Sequence, residues 1–402
     1  MSSEYIFLSR LVPKEMESEV FEKSNKSMLD AANALEWHIY NGLCENLQTD
    51  IRVFNLLAVA SFPQYYKDAF VKRSLFDTDF NKNNINIGFC NVKLLRQWSA
   101  ERMAYVELKK WFKENPKTKI VFVYTASVTF LKALRKLKKR YPFKICCIIA
   151  DLPDMGNLSS KKSLYVKIAQ SFHTKNAYSL QGIVDYYVLL TKHMADYMSI
   201  DKPFCVMEGI STVKDEFECP EYDSKEKTVF YAGTLHKKFG VPNLLKAFQQ
   251  IEDEDYRLVI CGTGDAEDEI TTAAKSDSRI QFYGQLKRQD VLKLQSKATV
   301  LVNPRQNNEV FTKYSFPSKN LEYLSSGIPC IAYKLDGIPD EYDDYFYYVQ
   351  DDEISSLKNK IIEVCELSAA QREAFGKKSQ SFVMEEKNQI VQTRKIVDLI
   401  LK

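Results

Sequence analysis

The residues best suited to chemistry lie between Asn303 and Asp344, in the run NPRQNNEVFTKYSFPSKNLEYLSSGIPCIAYKLDGIPDEYDD. The run begins where an apolar stretch ends, at Leu301–Val302, crosses a polar loop and enters a helix through Tyr314, Ser315, Phe316, Pro317, Ser318 and Lys319. Proline suits a helix start because the N–H it lacks would be unpaired there anyway. The free N–H groups and partial positive charge of such a start suit a phosphate. Lys319 in the first turn opposes that dipole, an odd placement unless an anion joins it. Without an anion it is an ordinary solvated lysine. Glu322, one turn further on, can accept two hydrogen bonds from a vicinal diol such as a ribose, or can be a plain surface glutamate.

Two more cations, Lys238 and Arg305, stand in loops after strand-like runs. Gly233 and Gly240 allow backbone to approach a ligand closely, or simply turn the chain. Gly262-Thr263-Gly264 follows a strand as a dinucleotide fingerprint would, but Glu267 holds the place of the third glycine. A bare pair of this kind is weak evidence for that cofactor and also fits a tight turn. The four histidines, His38, His173, His193 and His236, show no metal-ligand spacing. Asp151 directly follows an apolar run, where an aspartate either points into a cleft or caps a turn.

The elements that must position these groups alternate. Short apolar runs occur at Tyr5–Leu8, Ile51–Leu57, Ile120–Tyr124, Ile145–Ala150 and Tyr186–Leu190, with helix-like stretches at Asp30–Asn46, Ser99–Glu114 and Ser127–Tyr141 between them. The rhythm restarts with Thr228–Tyr231, Arg257–Cys261, Ile280–Tyr283, Thr299–Val302 and Pro329–Ala332, joined by helices such as Val241–Gln250, Asp290–Ser296 and Ser318–Ser326. Such alternation predicts an α/β chain of two doubly wound parallel sheets. Asp201–Lys227, with Pro203, Gly209 and Pro220, reads as a hinge. The expected domains are 1–201 and 202–385, with a closing helix over 386–402.

The run KYSFPSKNLEYLSSGIPCIA resembles the nucleotide-binding motif of GT-B glycosyltransferases of family 4, most of all those that build capsular and exopolysaccharide units. The resemblance extends through FYAGTLHKKFGVPNLLKAF, LVICGTGDAEDEI and RIQFYGQLKRQDVLKLQSKATVLVNPR, in the family's order, and more weakly to VDYYVLLTKHMADYM, CVMEGI and CCIIADLP. It implies two Rossmann-like domains facing each other across a cleft, the second holding a nucleoside-diphosphate sugar, with UDP as the favoured nucleotide. It further implies transfer with retention to a glycan or lipid-linked acceptor and no tightly bound metal or other cofactor. Glu322 matches the family's ribose-binding glutamate, and the loop at Gly262 and Gly264 falls near the base. Asp151 and His173 fall on the acceptor side. Two positions depart from the family. Tyr314 replaces its first glutamate, and Thr234 and Phe239 replace its Arg and Lys pair. The leaving-group role therefore passes to Lys238, Arg305 or Lys319.

The formal charge of +3 over 402 residues argues against a nucleic-acid coat. Nine scattered cysteines without a CxxC pair fit a reducing compartment. The first residues do not read as a signal peptide and no run approaches a membrane span, so a cytoplasmic protein is expected. LKALRKLKKR, Leu131–Arg140, is a basic amphipathic helix that either touches an anionic membrane or packs its leucines on the first sheet. A nucleotide-sugar epimerase and a non-catalytic partner of another transferase are the rival readings.

Overall fold

Ile120–Tyr124 is buried at every position, the fate of an apolar run whose sheet is covered by helices on both faces. It is one strand in a computed structural model that describes residues 4–25, 30–152, 174–211 and 226–402. The chain divides into two units, Met1–Glu208 with Gln389–Lys402, and Gly209–Asn388.

In the first unit the strands are β1 (Tyr5–Ser9), β2 (Arg52–Asn55), β3 (Phe70–Val71), β4 (Ser74–Phe76), β5 (Asn84–Asn86), β6 (Phe89–Cys90), β7 (Ile120–Tyr124), β8 (Lys144–Ile149), β9 (Tyr186–Leu189) and β10 (Phe204–Val206). Eight of them form one sheet in the order β10-β9-β8-β7-β1-β2-β5-β4, while β3 and β6 pair separately. All neighbours in the sheet are parallel except β4 and β5. The labelled helices are α1 (Glu17–Lys23), α2 (Asp30–Leu47), α3 (Arg96–Glu114), α4 (Val128–Leu137) and α5 (His193–Tyr197). The unit ends at Glu208 because β10, within the span read as a hinge, still pairs with β9.

The apolar face of α4 is wider than its three leucines suggest. Val128, Phe130, Leu131, Ala133, Leu134 and Leu137 are all buried. The face that the membrane reading of Leu131–Arg140 required is therefore inside the protein, and only the basic side of that stretch remains outside.

The second unit has a six-stranded, all-parallel sheet. Its strands are β11 (Lys227–Ala232), β12 (Tyr256–Cys261), β13 (Ile280–Phe282), β14 (Val300–Asn303), β15 (Cys330–Tyr333) and β16 (Tyr347–Val349), in the order β13-β12-β11-β14-β15-β16. Its helices are α6 (Val241–Gln249), α7 (Glu267–Ser276), α8 (Arg288–Ser296), α9 (Ser318–Ser325), α10 (Ile354–Cys365) and α11 (Ala369–Glu386). The last helix, α12 (Gln389–Leu401), returns to the first unit and packs on α2. The crossing is close: a Cβ at Gly42 would lie 2.5 Å from the Gln389 carbonyl oxygen.

The order of each sheet reverses beside its first strand, between β1 and β7 and between β11 and β14. In doubly wound sheets ligands gather at the carboxyl ends of the strands flanking that reversal. In the second unit α9 is fixed there by two buried side chains. Asn303 Nδ2 donates to Asn320 Oδ1 at 2.6 Å, holding α9 to β14. The Tyr323 hydroxyl accepts from the Ala232 N–H at 3.0 Å and donates to the Ala232 carbonyl at 3.3 Å, holding α9 to β11.

In the first unit Glu36 of α2 is buried at the end of β1, where it accepts the Arg10 N–H at 2.8 Å. Burial pushes its carboxyl up from 4.5 to about 8, against the Arg10 N–H and charge. The unfolded chain releases this proton near pH 4.5, whereas the folded chain keeps it to about 8, so stability falls as pH rises across that window. Denaturant unfolding from pH 4.5 to 8 should show a flatter profile for Glu36→Gln than for the parent; equal slopes would contradict the assignment. Tyr323→Phe should cost about 1–3 kcal/mol, because it strands the buried Ala232 amide without its partner. A cost near zero in the same unfolding measurement would show that the clamp is unimportant.

Candidate active site

The groups at the β11–β14 reversal come from four loops. The first follows β11. Gly233 N–H donates to the Cys261 carbonyl at 3.0 Å, and the Tyr231 hydroxyl donates to the Thr234 carbonyl at 3.0 Å. The second loop, Gly262–Gly264, is pressed onto the first. Gly262 has φ of 132°, and a Cβ there would sit 1.8 Å from the Gly233 carbonyl oxygen. Its N–H donates to the Gly284 carbonyl at 2.7 Å, and the Gly264 N–H to Glu267 Oε1 at 2.6 Å. These two glycines act as a tight brace, and their amides are already engaged. Gly240 likewise serves a close backbone contact, since a Cβ would lie 1.9 Å from the Pro304 carbonyl oxygen.

The third loop carries Arg305. Its guanidinium lies 4.0 Å from the centre of the Phe239 ring and 5.6 Å from that of Phe311. Desolvation between these rings lowers its pKa to about 10, against the neighbouring Tyr231. Its Nε is buried without a hydrogen-bond partner, and no ion pair to a carboxylate engages it among the described residues. Phe239 stands where the resembled family carries its lysine. Here that side chain supplies the surface on which the arginine rests.

The fourth loop leads into α9. No side chain caps this helix, so the first-turn N–H groups of Ser318 and Lys319 have no acceptor within it. Phe316 is buried against Tyr342, with ring centres 5.2 Å apart, and the Ser315 hydroxyl donates to the Phe311 carbonyl at 3.0 Å. Both shape the approach to the helix. Tyr314 closes the short helix Val310–Tyr314, and Pro317 occupies the N-cap.

Lys319 is not the bare first-turn lysine the sequence suggests. Its Nζ donates to Glu322 Oε1 at 2.9 Å, and Arg288 donates to Glu322 Oε2 at 3.3 Å. Burial raises the Glu322 pKa, but Lys319 and Arg288 outweigh it and hold the carboxyl below its ordinary value. Glu322 thus offsets the clash of Lys319 with the helix dipole. The lysine stem also passes Gly233, where a Cβ would sit 3.6 Å from Lys319 Cε. Lys238 turns elsewhere, donating to Glu309 Oε2 at 3.1 Å on the exposed side of its loop.

Gly233, Thr234, Arg305, Lys319 and Glu322 therefore gather around one reversal point, with Tyr231 bordering Thr234, Gly233 and Arg305. Lys238 stands apart from them. In the first unit Asp151 is exposed just beyond β8, and His173 lies outside the described residues. Sequence reasoning overlooked Arg10 and Glu36 at the end of β1 and Arg96 beside them. Arg10 was findable, as the first residue past an apolar strand. Glu36 was not, because only the docking of α2 buries it.

Residues 213–382 match the family described as Glycosyl transferases group 1. No curated protein matches the chain. Among solved structures it resembles the sucrose-phosphate synthase of Thermosynechococcus elongatus, at 13% identity and TM-score 0.67, over 99% of this chain and 98% of that one. It also resembles the lipopolysaccharide outer core galactosyltransferase WaaB, at 16% identity and TM-score 0.62, over 99% of both chains. A third likeness is to Anabaena Alr3699/HepE in complex with UDP, at 12% identity and TM-score 0.59, over 99% of this chain and all of that one. At such identities the likeness speaks for the fold alone: two Rossmann-like domains of the GT-B fold class, each on a largely parallel sheet, with the Glycosyl transferases group 1 signature in the second.

Proposed function

We propose that this chain is a glycosyltransferase of the family 4 type. It moves a sugar, with retention of configuration, from a nucleoside-diphosphate sugar, with UDP as the preferred nucleotide, to a glycan or lipid-linked acceptor. The observation that carries the reading is Arg305, a desolvated cation with an unpartnered Nε, set between two rings at the reversal point of the sheet. Desolvating a cation is costly, and an anion from a ligand would offset that cost. Breaking the bond from the anomeric carbon to the diphosphate builds negative charge on the leaving phosphate, and preorganised cations and helix amides lower that barrier. Arg305, Lys319 and the uncapped start of α9 supply these groups. The proposal needs no metal ion, because the side-chain cations meet the charge.

Glu322 keeps its place as the ribose acceptor. A carboxylate offers about four lone-pair sites, and Lys319 and Arg288 take two. The UDP complex of Anabaena HepE agrees with this donor. A non-catalytic partner of another transferase is the second reading. Tyr314, Thr234 and Phe239 favour it, because they replace charged side chains of the resembled family.

Lys319→Met keeps the length of the side chain and removes its charge. Turnover, assayed in EDTA with a nucleotide-sugar panel, should fall about a hundredfold, as when one transition-state donor is lost. The fall should appear in kcat more than in acceptor KM. Near-normal turnover would remove Lys319 from the site and leave Arg305 as the leaving-group cation. No transfer or hydrolysis by the parent protein with any donor would favour the non-catalytic reading.

A further inference from the structure

Arg10 is the first residue past β1, the strand beside which the first sheet reverses. Its backbone is held from two elements. Glu36 of α2 accepts its N–H. Asn55, buried at the end of β2, accepts the Ser9 hydroxyl and the Leu11 N–H, each at 2.8 Å, and donates to the Leu11 carbonyl at 3.0 Å. Asn33 of α2 accepts the Val12 N–H at 2.9 Å. Three side chains thus fix residues 9–12 in one shape, and none of them takes a hydrogen bond from the Arg10 guanidinium.

That guanidinium reaches solvent and has no hydrogen-bond or ion-pair partner among the described residues. A second arginine stands near it. Arg96 opens α3, which no side chain caps, so its charge opposes the helix dipole. Arg96 is half-buried, its Nη2 donates to the Val59 carbonyl, and it lies 5.6 Å from the centre of the Phe89 ring. No carboxylate pairs with it among the described residues. Desolvation, then the charge of Arg10, lowers its pKa to about 10. Desolvation also lowers the pKa of Arg10, against the pull of Glu36. Glu36 keeps its proton to about pH 8, so it brings no full charge to either arginine at neutral pH. Asp151, just beyond β8, pairs with neither. The fold therefore holds two neighbouring cations and supplies no anion for them.

We propose that Arg10, with Arg96 beside it, selects an acidic acceptor by binding an oxyanion that the acceptor carries, a carboxylate or a phosphate. A guanidinium presents its N–H donors in a fork that matches the oxygens of either group. The loop is set before the ligand arrives, so less freedom is lost on binding. On the transfer reading, the donor diphosphate has cations of its own in the second unit, Arg305 and Lys319, which leaves this pair for the other substrate. The inference rests on that reading and narrows its acceptor to one with an anionic group.

Phenylglyoxal labelling of the full chain, mapped by peptide mass, tests the site without any sugar transfer. Arg10 should be labelled in the free protein. Saturating methyl glucuronoside or inorganic phosphate should slow that labelling at least about tenfold, and methyl glucoside should not, since a charge-assisted bond separates the probes. Slowing by the glucuronoside alone assigns a carboxylate, and slowing by phosphate alone assigns a phosphate. The exposed Arg102 is the internal control, labelled alike throughout. In transfer assays Arg10→Gln should raise the KM for an acidic acceptor about tenfold to a hundredfold, the loss of a charged hydrogen bond. Its kcat and nucleoside-diphosphate affinity should stay near parental, and Arg10→Lys should recover part of the loss. The bonds to Glu36, Asn33 and Asn55 use backbone groups of this loop or the Ser9 hydroxyl, so both variants keep them, and thermal unfolding verifies their fold. Labelling of Arg10 that ignores both anions, equal protection by methyl glucoside, or an unchanged acceptor KM in Arg10→Gln would overturn the proposal. So would a loss of nucleoside-diphosphate affinity in that variant, which would assign Arg10 to the donor. Protection without any transfer by the parent would sink the transfer reading and leave the oxyanion site standing, whereas transfer without protection would do the reverse.

Discussion

Asn320 and Tyr323, one turn apart on α9, tie that helix to the ends of the two strands between which the second sheet reverses. Each bond is buried, so breaking it would strand a polar group away from water. This makes the position of α9 discrete. The positions of Lys319 and Glu322 follow, because they share the same short helix. The start of α9 carries no side-chain cap, which leaves its first amides available to a ligand.

The charged groups then separate by environment. Lys238 and Glu309 form a pair at the exposed rim, where solvent screens the interaction and its worth is small. Lys319, Glu322 and Arg288 form a linked group whose carboxylate is half-buried and kept ionised by two cations. Arg305 has two aromatic faces and, among the described residues, no acid paired with it. On the proposed reading, its stacking on Phe239 is how a departure from the resembled family's pattern retains a cation at the site. The cation enters from the loop after β14, and the side chain at the family's lysine position becomes its platform.

The alternation of apolar runs and amphipathic stretches made both sheets legible, because buried parallel strands carry an unmistakable pattern of Val, Ile and Phe. Ile120–Tyr124 and Arg257–Cys261 show this directly, lying within one residue of β7 and β12. The edge elements were harder to read. Phe204–Val206 is short and only partly buried, so its composition resembles a linker and the hinge was drawn too early. The Leu131–Arg140 helix stayed open between packing and membrane contact for the opposite reason. Its leucines are visible in the sequence, but Phe130 and Ala133, which complete a core-facing surface, were left outside the stripe. In the candidate site the residue types were legible and their pairings were not. The spacing of Lys319 and Glu322 permits an ion pair, yet nothing local reveals that Arg288 closes the other side of the carboxylate.

The central claim is that the second unit grips a diphosphate through Arg305, Lys319 and the start of α9. Titration calorimetry of the full chain with a nucleoside diphosphate and with the matching nucleoside tests this without assuming which base is preferred. Two or more charge-assisted hydrogen bonds to the phosphates should make the diphosphate bind about a hundredfold tighter or better. That advantage should shrink as salt rises, while the weak binding of the nucleoside should not change. Equal affinities for the two at low salt would contradict the account.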